Sequence, residues 1–180
     1  METKQKESNK IFRRATSADI REMMEIRLAV KENTLSDPSI ITYQMCEDYL
    51  EQLGRGWCCE VVGKILGFSY AAKADASIWA LFVRPEYEGQ GVGAPLLKLA
   101  TEWLFSLGNP QVKLGTTANT RADRFYFAQG WQRGNMKDAV EVIYTLDAPA
   151  TVPATAPATA PATAPATAPA TAPATPSASA

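Results

Sequence analysis

A proline repeat removes a large part of this chain from any folded core. It runs from Ala148 to Ala180 in Pro-Ala-Thr-Ala units, with neither a charged nor an aromatic side chain. Proline at every fourth position removes backbone N–H donors and fixes φ, so neither a helix nor a strand can propagate. The small side chains also bury too little apolar surface to offset the entropy of ordering. We predict a disordered, partly polyproline-II spacer over 148–180; the alternatives are an O-glycosylated stalk and an artificial extension.

Residues 11–147 are therefore expected to form a single domain, preceded by a flexible polar leader over residues 1–10. The sequence has 18 Lys and Arg against 19 Asp and Glu, a net charge of −1. This balance disfavours nucleic acid as a partner, because phosphate binding relies on a basic surface. No apolar run reaches membrane-spanning length and the N-terminus lacks a secretory hydrophobic region, so we expect a cytoplasmic protein with no membrane partner.

The residue types present limit the chemistry. Histidine is absent, which excludes the commonest general base, Ser-His-Asp and Cys-His arrangements, and most catalytic zinc sites. Of the three cysteines, the adjacent Cys58 and Cys59 should face opposite sides of a strand. They and Cys46 are therefore poor disulfide or zinc candidates. We expect free, buried or half-buried thiols in a reducing environment, and no bound metal.

Hydrophobic periodicity predicts an order of strand, two helices, three strands, helix, strand, helix and two strands. The predicted strands are residues 11–14, 57–62, 65–72, 77–83, 112–116, 131–133 and 140–146. The predicted helices run from Ser17 or Asp19 to Val30, over 42–53 with Gly54 to Gly56 closing it, from the glycine-rich segment 89–93 to Leu107, and over 120–129. Gly63 and Lys64 are the predicted hairpin turn. Consecutive strands favour antiparallel pairing, and the later alternation favours a crossover. The predicted fold class is α/β with a mixed, mostly antiparallel sheet flanked by helices.

A glycine-rich segment joins the strand that ends at Val83 to the following helix. Glycines let a backbone approach a ligand closely, and the first amides of a helix lack internal acceptors. Together with the helix dipole they suit a pyrophosphate. Glycine spacing alone also fits an ordinary strand-to-helix turn. The segment fits a dinucleotide-binding Rossmann loop poorly, because that pattern requires a following strand with an acidic residue at a set distance, and the sequence has none there. A kinase-like phosphate loop would require Gly-Lys-Ser/Thr, which is absent.

Two separate motifs resemble the GCN5-related N-acetyltransferase (GNAT) family. Residues 78–83 followed by 85–93 are similar to its central motif. Asn119, a helix carrying Tyr126, and the pair Gly130 and Trp131 are similar to its second landmark. The resemblance covers about residues 11–147. It implies a GNAT-like acyl-CoA N-acyltransferase fold and transfer of an acetyl group from acetyl-CoA to a primary amine of a small molecule or peptide, through a tetrahedral intermediate.

The resemblance also implies a cofactor site. Backbone groups that would contact the pantetheine arm and the acetyl carbonyl belong to Leu81, Phe82 and Val83. Amides that would hold the pyrophosphate belong to Gly89, Gln90, Gly91, Val92, Gly93 and Ala94. Asn119 would contact the cofactor arm, and Tyr126 would lie near its sulfur. Glu88 departs from the family pattern, which usually has Arg or Gln there. A carboxylate beside a pyrophosphate is unfavourable, so we expect the Glu88 side chain to face solvent.

For catalysis, Tyr126 is the predicted general acid, because its phenol can donate to the leaving thiolate. The alternative is a packing tyrosine between Phe125 and Phe127. The strand over 77–83 carries no acidic residue, so we expect water molecules to relay the proton as the general base. Glu32 or Glu25 would orient this water or take up its proton. The alternative for both is a solvated helix charge. A strand amide near Phe82 or Val83 would stabilise the oxyanion.

The acceptor amine would lie between the first two helices. The predicted substrate-binding residues are Arg27, Glu32, Asn33 and Tyr43. A carboxylate pair favours a cationic amine, whereas Arg27 favours an acidic one, and the sequence leaves both open. Two other functions also stay open, namely use of a longer acyl-CoA and a non-catalytic CoA-binding sensor or tethering module. A homodimer formed through exposed strand edges is plausible by analogy.

Overall fold

The computed structural model of the protein describes residues 9–31 and 37–150. The predictions on the start of the leader, on Glu32 and Asn33, and on the repeat from residue 151 onward lie outside the described residues. Within those ranges the strands are β1 Ile11–Arg14, β2 Gly54–Val61, β3 Lys64–Ala72, β4 Ser77–Val83, β5 Gln111–Thr117, β6 Gln132–Met136 and β7 Glu141–Asp147. The α-helices are α1 Ile20–Ala29, α2 Tyr43–Glu51, α3 Gly93–Ser106 and α4 Arg121–Ala128. The predicted order of elements is confirmed.

One sheet of seven strands carries the domain, in the order β1-β2-β3-β4-β5-β7-β6. Neighbouring strands are antiparallel except for β4 and β5, which are parallel. The parallel pair follows from the crossover through α3 that connects the two strands. The predicted mixed, mostly antiparallel sheet flanked by helices is therefore confirmed.

Two glycines assigned to the end of the second helix belong instead to a strand. α2 ends at Glu51, and β2 begins at Gly54. A Cβ at Gly54 would collide with the carbonyl oxygen of Ala71 on β3, and a Cβ at Gly56 would lie 2.5 Å from a methyl carbon of Leu50. These glycines are needed because neighbouring elements approach the strand closely, and not because the chain must turn.

The hairpin between β2 and β3 turns one residue earlier than predicted. Its two central residues are Val62 and Gly63, with φ of 49° and 75°. Lys64 pairs with Val61 as the first residue of β3. Two successive positive φ values are typical of the turn type that matches the twist of paired strands.

Each face of the sheet has its own apolar core. On one face α3 and α4 pack against the sheet through side chains such as Leu96 and Tyr126. On the other face α1 and α2 pack through side chains such as Ile26 and Leu50. The adjacent cysteines of β2 lie on opposite faces, as predicted. All three cysteines are free and buried.

The parallel strands β4 and β5 are held together at one end only. A single backbone pair joins them, Ser77 with Lys113, and the Lys113 N–H donates to the Ala76 carbonyl at 3.0 Å. No further pair joins these strands over residues 78–83, while β5 pairs with β7 along its whole length. The sheet is therefore split toward the carboxyl ends of β4 and β5, which leaves a gap beside Val83.

Candidate active site

Two glycines shape the turn between β4 and α3, next to the gap in the sheet. Gly89 has a φ of 70° and Gly91 a φ of 74°, in the left-handed region that favours glycine. A Cβ added at either position would meet no atom within 4 Å. The backbone conformation therefore requires glycine here, and the space beside the turn is open to a ligand.

The helix that follows this turn begins without a side-chain cap. Its N-cap residue is Val92, whose side chain is buried and apolar and makes no cap hydrogen bond. The first N–H groups of α3 consequently have no side-chain acceptor. Together with the positive end of the helix dipole they attract an anion. Pro95 lies in this first turn, where its missing N–H is tolerated, as expected.

A cavity of about 160 Å³, which we call the loop cavity, lies at the turn. It is enclosed by the end of β4, the turn itself and the start of α4. The lining residues are Val83, Tyr87, Glu88, Gly89, Gly91, Val92, Gly93, Ala94, Arg121 and Phe125. Gln90 is the one predicted pyrophosphate ligand that does not line it. Its side-chain amide instead donates to the Glu86 carbonyl at 2.8 Å.

The expectation that Glu88 faces solvent is wrong. Its carboxylate accepts a hydrogen bond from the guanidinium of Arg121, the first residue of α4. The two side chains are only 28% and 37% exposed, because each lies against the loop cavity. A positive charge therefore stands at this site, supplied by α4 rather than by the turn. Arg121 was not among the residues predicted for this site.

Asn119 ends the turn between β5 and α4 in a left-handed conformation, with a φ of 63°. Its backbone N–H donates to the Asp123 carboxylate at 2.7 Å. The Asn119 side chain is exposed and does not line the loop cavity. The structure thus shows a backbone role for this residue at the start of α4, and its predicted contact with the cofactor arm stays a prediction.

Asp123 anchors α4 to the sheet. Its carboxylate accepts two hydrogen bonds from Arg133, at 3.0 and 3.1 Å, and one from the Tyr144 hydroxyl at 2.5 Å. The guanidinium of Arg133 is the main cause that lowers the pKa of Asp123 to about 2, with help from Tyr144 and the Asn119 N–H. This network fixes the helix that carries Arg121 and Tyr126.

Tyr126 lies in the core between α4 and the sheet and has no exposed surface. Its ring packs against Phe125, Trp131 and Tyr144, at centroid distances of 5.2, 6.2 and 5.9 Å. Phe127, the other neighbour proposed for a packing role, is 68% exposed. The Tyr126 hydroxyl is buried and has no hydrogen-bond partner within the described residues. Burial raises the pKa of Tyr126, so the phenol stays protonated and is able to donate.

On the opposite face of the sheet, Arg27 extends from α1 over the ring of Phe82, with 5.0 Å between its guanidinium carbon and the ring centroid. It borders a small cavity, which we call the arginine cavity. The other residues that line this cavity are Met23, Met24, Cys46, Phe68, Tyr70 and Trp79. Tyr43 is not among them, because it is 48% exposed and its hydroxyl donates to the Ser17 carbonyl at 3.1 Å. Glu25 is exposed on α1.

A larger cavity, of about 630 Å³, lies along α3 and reaches Trp131 and Pro149. It shares Ala94 with the loop cavity. Its lining includes Leu97, Phe105 and Leu146 and is mostly apolar. Such a surface suits a diphosphate less well than the loop cavity does, because the oxygens of a diphosphate need hydrogen-bond donors.

A match to a family model shows to which known proteins this chain is related. The model of the acetyltransferase (GNAT) family matches residues 20–131. The chain belongs to the GNAT family. The match spans α1 to the end of α4, and so includes the gap, the turn and the loop cavity. No curated protein sequence gives a significant match.

Solved acetyltransferase structures have the same fold. The PaiA N-acetyltransferase from Thermoplasma acidophilum, in complex with coenzyme A, is 15% identical with a TM-score of 0.66, over 78% of this chain and 99% of that one. An N-acetyltransferase from Staphylococcus aureus Mu50 is 19% identical with a TM-score of 0.63, over 78% and 99%. A Salmonella typhimurium structure that contains acetyl-CoA as cofactor is 15% identical with a TM-score of 0.64, over 77% and 93%. The predicted GNAT fold is thereby confirmed.

The residues present in this GNAT domain fit coenzyme A at the loop cavity. The turn is open beside Gly89 and Gly91, the amides of α3 lack side-chain acceptors, and Arg121 supplies a positive charge. Glu88 is the one group that opposes a diphosphate. Within the described ranges, no group of three or more His, Cys, Asp or Glu side chains is placed to hold a metal ion. None of the described helices is both long and apolar enough to cross a membrane.

Proposed function

We propose that this GNAT protein transfers an acetyl group from acetyl-CoA to a primary amine of a small molecule or peptide, by direct attack of the amine on the thioester. The observation that carries the proposal is the open turn at Gly89 and Gly91, placed directly beside the gap between β4 and β5. A diphosphate bound at the turn would leave the pantetheine arm in line with that gap.

The gap offers the pantetheine arm an unpaired strand edge. The backbone of Leu81, Phe82 and Val83 forms pairs with β3 on one side and none with β5 on the other. Peptide groups left unpaired at such an edge are strong hydrogen-bond partners for an amide-containing ligand. One of the N–H groups near Phe82 or Val83 would then stabilise the oxyanion that forms when the amine attacks.

Proton transfer is the main barrier for the acceptor. An alkyl amine resembling lysine has a pKa near 10.4, so its neutral fraction at pH 7 is below about one in a thousand. Supplying the neutral form costs about 4–5 kcal/mol. β4 carries no acidic side chain, so a water relay is proposed as the base, with Glu32 or Glu25 draining its proton.

Tyr126 is the proposed general acid for the departing thiolate. Its protonated hydroxyl has no hydrogen-bond partner among the described residues, and its neighbour Phe125 lines the loop cavity, although Tyr126 itself does not. A positioned proton donor of this kind is typically worth about 10²–10⁴ in rate.

We also propose a reducing, cytoplasmic setting, which is supported by the three free thiols. Neither nucleic acid nor a membrane is proposed as a partner, in keeping with the net charge of −1. A homodimer would use an edge of the sheet, and β6 is the edge strand whose residues are all exposed.

The proposed activity is tested with the purified full chain, acetyl-CoA and a panel of amines, amino acids, aminoglycosides and peptides, while released thiol is followed. Acceptor-dependent thiol release is the expected result. Tight acetyl-CoA binding with no release for any acceptor would instead support the sensor or tethering function. Faster release from a longer acyl-CoA would reassign the acyl donor.

A further inference from the structure

The guanidinium of Arg27 is largely buried and forms no ion pair within residues 9–31 and 37–150. Its Nη2 atom is inaccessible to solvent and has no hydrogen-bond partner in the part of the chain that the structure describes. Two acidic residues near the same helix are engaged elsewhere, Asp19 with Arg13 and Glu22 with Arg84, each at 2.8 Å. An unpaired buried cation is unfavourable because the hydration it loses is not replaced.

Arg27 makes other contacts, but they replace only part of the hydration that its guanidinium loses on burial. The Phe82 ring offers a cation–π contact at 5.0 Å. Burial lowers the pKa of Arg27 to about 10, and the groups that oppose the shift are Cys46 and Tyr70. Arg27 therefore stays protonated at neutral pH, and a full positive charge faces the arginine cavity.

A second unpartnered donor lies at the same cavity. The Tyr70 side chain is 2% exposed, and its hydroxyl makes no geometrically well-formed hydrogen bond within the described residues; the Cys46 thiol, a weak partner, is its polar neighbour. Its ring is held edge-on against Trp79 and Phe68, at centroid distances of 5.4 and 5.7 Å. Burial raises the pKa of Tyr70, so the hydroxyl keeps its proton and remains a donor. The cavity thus combines a cation and a hydroxyl donor, and none of the described residues that line it carries a carboxylate.

We infer that the acceptor amine carries a carboxylate, which binds the Arg27 guanidinium and accepts a hydrogen bond from the Tyr70 hydroxyl. This inference rests on the proposed acetyl transfer and specifies the class of its acceptor. A guanidinium matches a planar carboxylate with two parallel hydrogen bonds. An amine that carries only positive charge would be repelled by Arg27.

The size of the cavity limits what enters it. Its volume is about 10 Å³, which is room for about one water molecule. Met23 and Met24 line it, and unbranched thioether side chains adapt readily to a ligand. A whole carboxylate does not fit in this conformation, so its entry requires Met23 and Met24 to shift, and the rest of the acceptor stays outside.

The position of the cavity links this carboxylate to the reaction. Arg27 lies over Phe82, whose backbone belongs to the unpaired edge of β4 where the acetyl group is proposed to bind. An acceptor held by Arg27 therefore has its amine close to that edge only if amine and carboxylate are near each other, as they are in an α-amino acid.

The test compares each free L-amino acid with its α-amide, at saturating acetyl-CoA and with the full chain. For the amino acid that is acetylated most efficiently, we expect kcat/KM to exceed that of its amide by about 30-fold or more. The amide lacks the negative charge, and loss of one partner of a buried charge pair has an effect of this size. Arg27→Met should raise KM for the acid until the preference nearly disappears, and Arg27→Lys should retain part of it. Tyr70→Phe should reduce it by about two- to fivefold. Arg21→Met, an exposed arginine on the same helix, is the matched control and should leave the preference unchanged.

Equal or faster acetylation of the amides, or an acid preference that survives in Arg27→Met, would overturn the inference. Calorimetric titration of the same acids and amides, with coenzyme A present and absent, separates this result from failure of the proposed function. If no amine is acetylated, selective binding of acids by the wild type but not by Arg27→Met still supports the carboxylate site. Equal binding of acids and amides, or binding of neither, refutes it.

Discussion

Glu88 and Arg121 form an ion pair that joins the β4–α3 turn to the first residue of α4, at the wall of the loop cavity. The GNAT pattern usually has Arg or Gln at the position of Glu88. In this protein the carboxylate occupies that position and the cation comes from the neighbouring helix. A diphosphate that enters the loop cavity must therefore compete with Glu88 for Arg121.

The first prediction concerns this competition. Glu88→Gln should lower the Kd for acetyl-CoA about tenfold, equivalent to about 1.4 kcal/mol, because it removes a repulsive charge and frees Arg121. Arg121→Gln should raise the Kd by a similar factor. Glu86→Gln is the matched control, since Glu86 lies in the same segment and pairs with Lys64 at 3.6 Å instead. Titration calorimetry gives all three values; weaker binding in Glu88→Gln would contradict the account.

The second prediction separates catalysis from stability at Tyr126. Tyr126→Phe should lower kcat about tenfold to a thousandfold and leave the Kd for acetyl-CoA nearly unchanged. Its hydroxyl has no partner among the described residues, so the free energy of unfolding should stay the same or rise by up to about 1 kcal/mol. Tyr144→Phe, which loses a hydrogen bond of 2.5 Å to Asp123, should be destabilised instead. Full activity of the Tyr126 variant would remove this residue from the mechanism.

The third prediction concerns the glycine turn. Gly91→Ala places a Cβ on a residue with φ of 74°, so the turn should shift and its amides should lose their alignment. We expect the Kd for coenzyme A to rise about ten- to a hundredfold, because binding would lose one charge-assisted hydrogen bond. Gly108→Ala is the control: it has a φ of 89° and equally open space. Both variants should lose about 1 kcal/mol of stability, but only the first should lose affinity.

The fourth prediction is the acid sensitivity of the α4 anchor. The folded-state pKa of Asp123 is about 2, below its ordinary value of 3.8, chiefly because Arg133 donates to it. The unfolded chain therefore binds more protons between about pH 4 and 2, and the contribution of Asp123 to stability is present above pH 4 and lost as the pH falls through 2. The loss should be about 1–2 kcal/mol, because the Arg133 side chain is 39% exposed and solvent screens the pair.

Asp123→Asn isolates this contribution. The pKa of Asp19 is also lowered, by Arg13, but it contributes equally to both proteins. Chemical unfolding followed from pH 5 to 2 should show a steeper decline for the wild type than for the variant. Parallel declines would show that Asp123 does not provide the expected linkage.

The fold was predictable where one local pattern determines one element. β4 is a continuous apolar run and was predicted with its observed bounds, since a strand buried on both faces needs no alternation. The opposite orientation of Cys58 and Cys59 followed from the period of two along a strand. The start of β2 was missed because Gly54 and Gly56 satisfy a packing constraint set by Ala71 and Leu50, which no local pattern records.

The candidate site was predictable only for its contiguous part. Gly89, Gly91 and Gly93 lie at alternate positions of one short segment, so their turn could be recognised from sequence. The partner of Glu88 lies on another helix, and a sequence alone does not show which cation reaches it. Tyr70 and Arg27 belong to a strand and a helix far apart in sequence. Their meeting at one cavity becomes visible only when the sheet and α1 are packed together.

The central claim is that the β4–α3 turn binds a diphosphate, and calorimetry with two ligands tests it most directly. Coenzyme A and pantetheine share the arm and thiol, and coenzyme A adds the diphosphate and a phosphorylated adenosine; Gly91→Ala isolates the share of the diphosphate, because it alters only the turn. We expect the full chain to bind coenzyme A at least about a hundredfold more tightly than pantetheine, and Gly91→Ala to lose most of that difference. No binding of coenzyme A, or equal affinity for the two ligands, would contradict the claim.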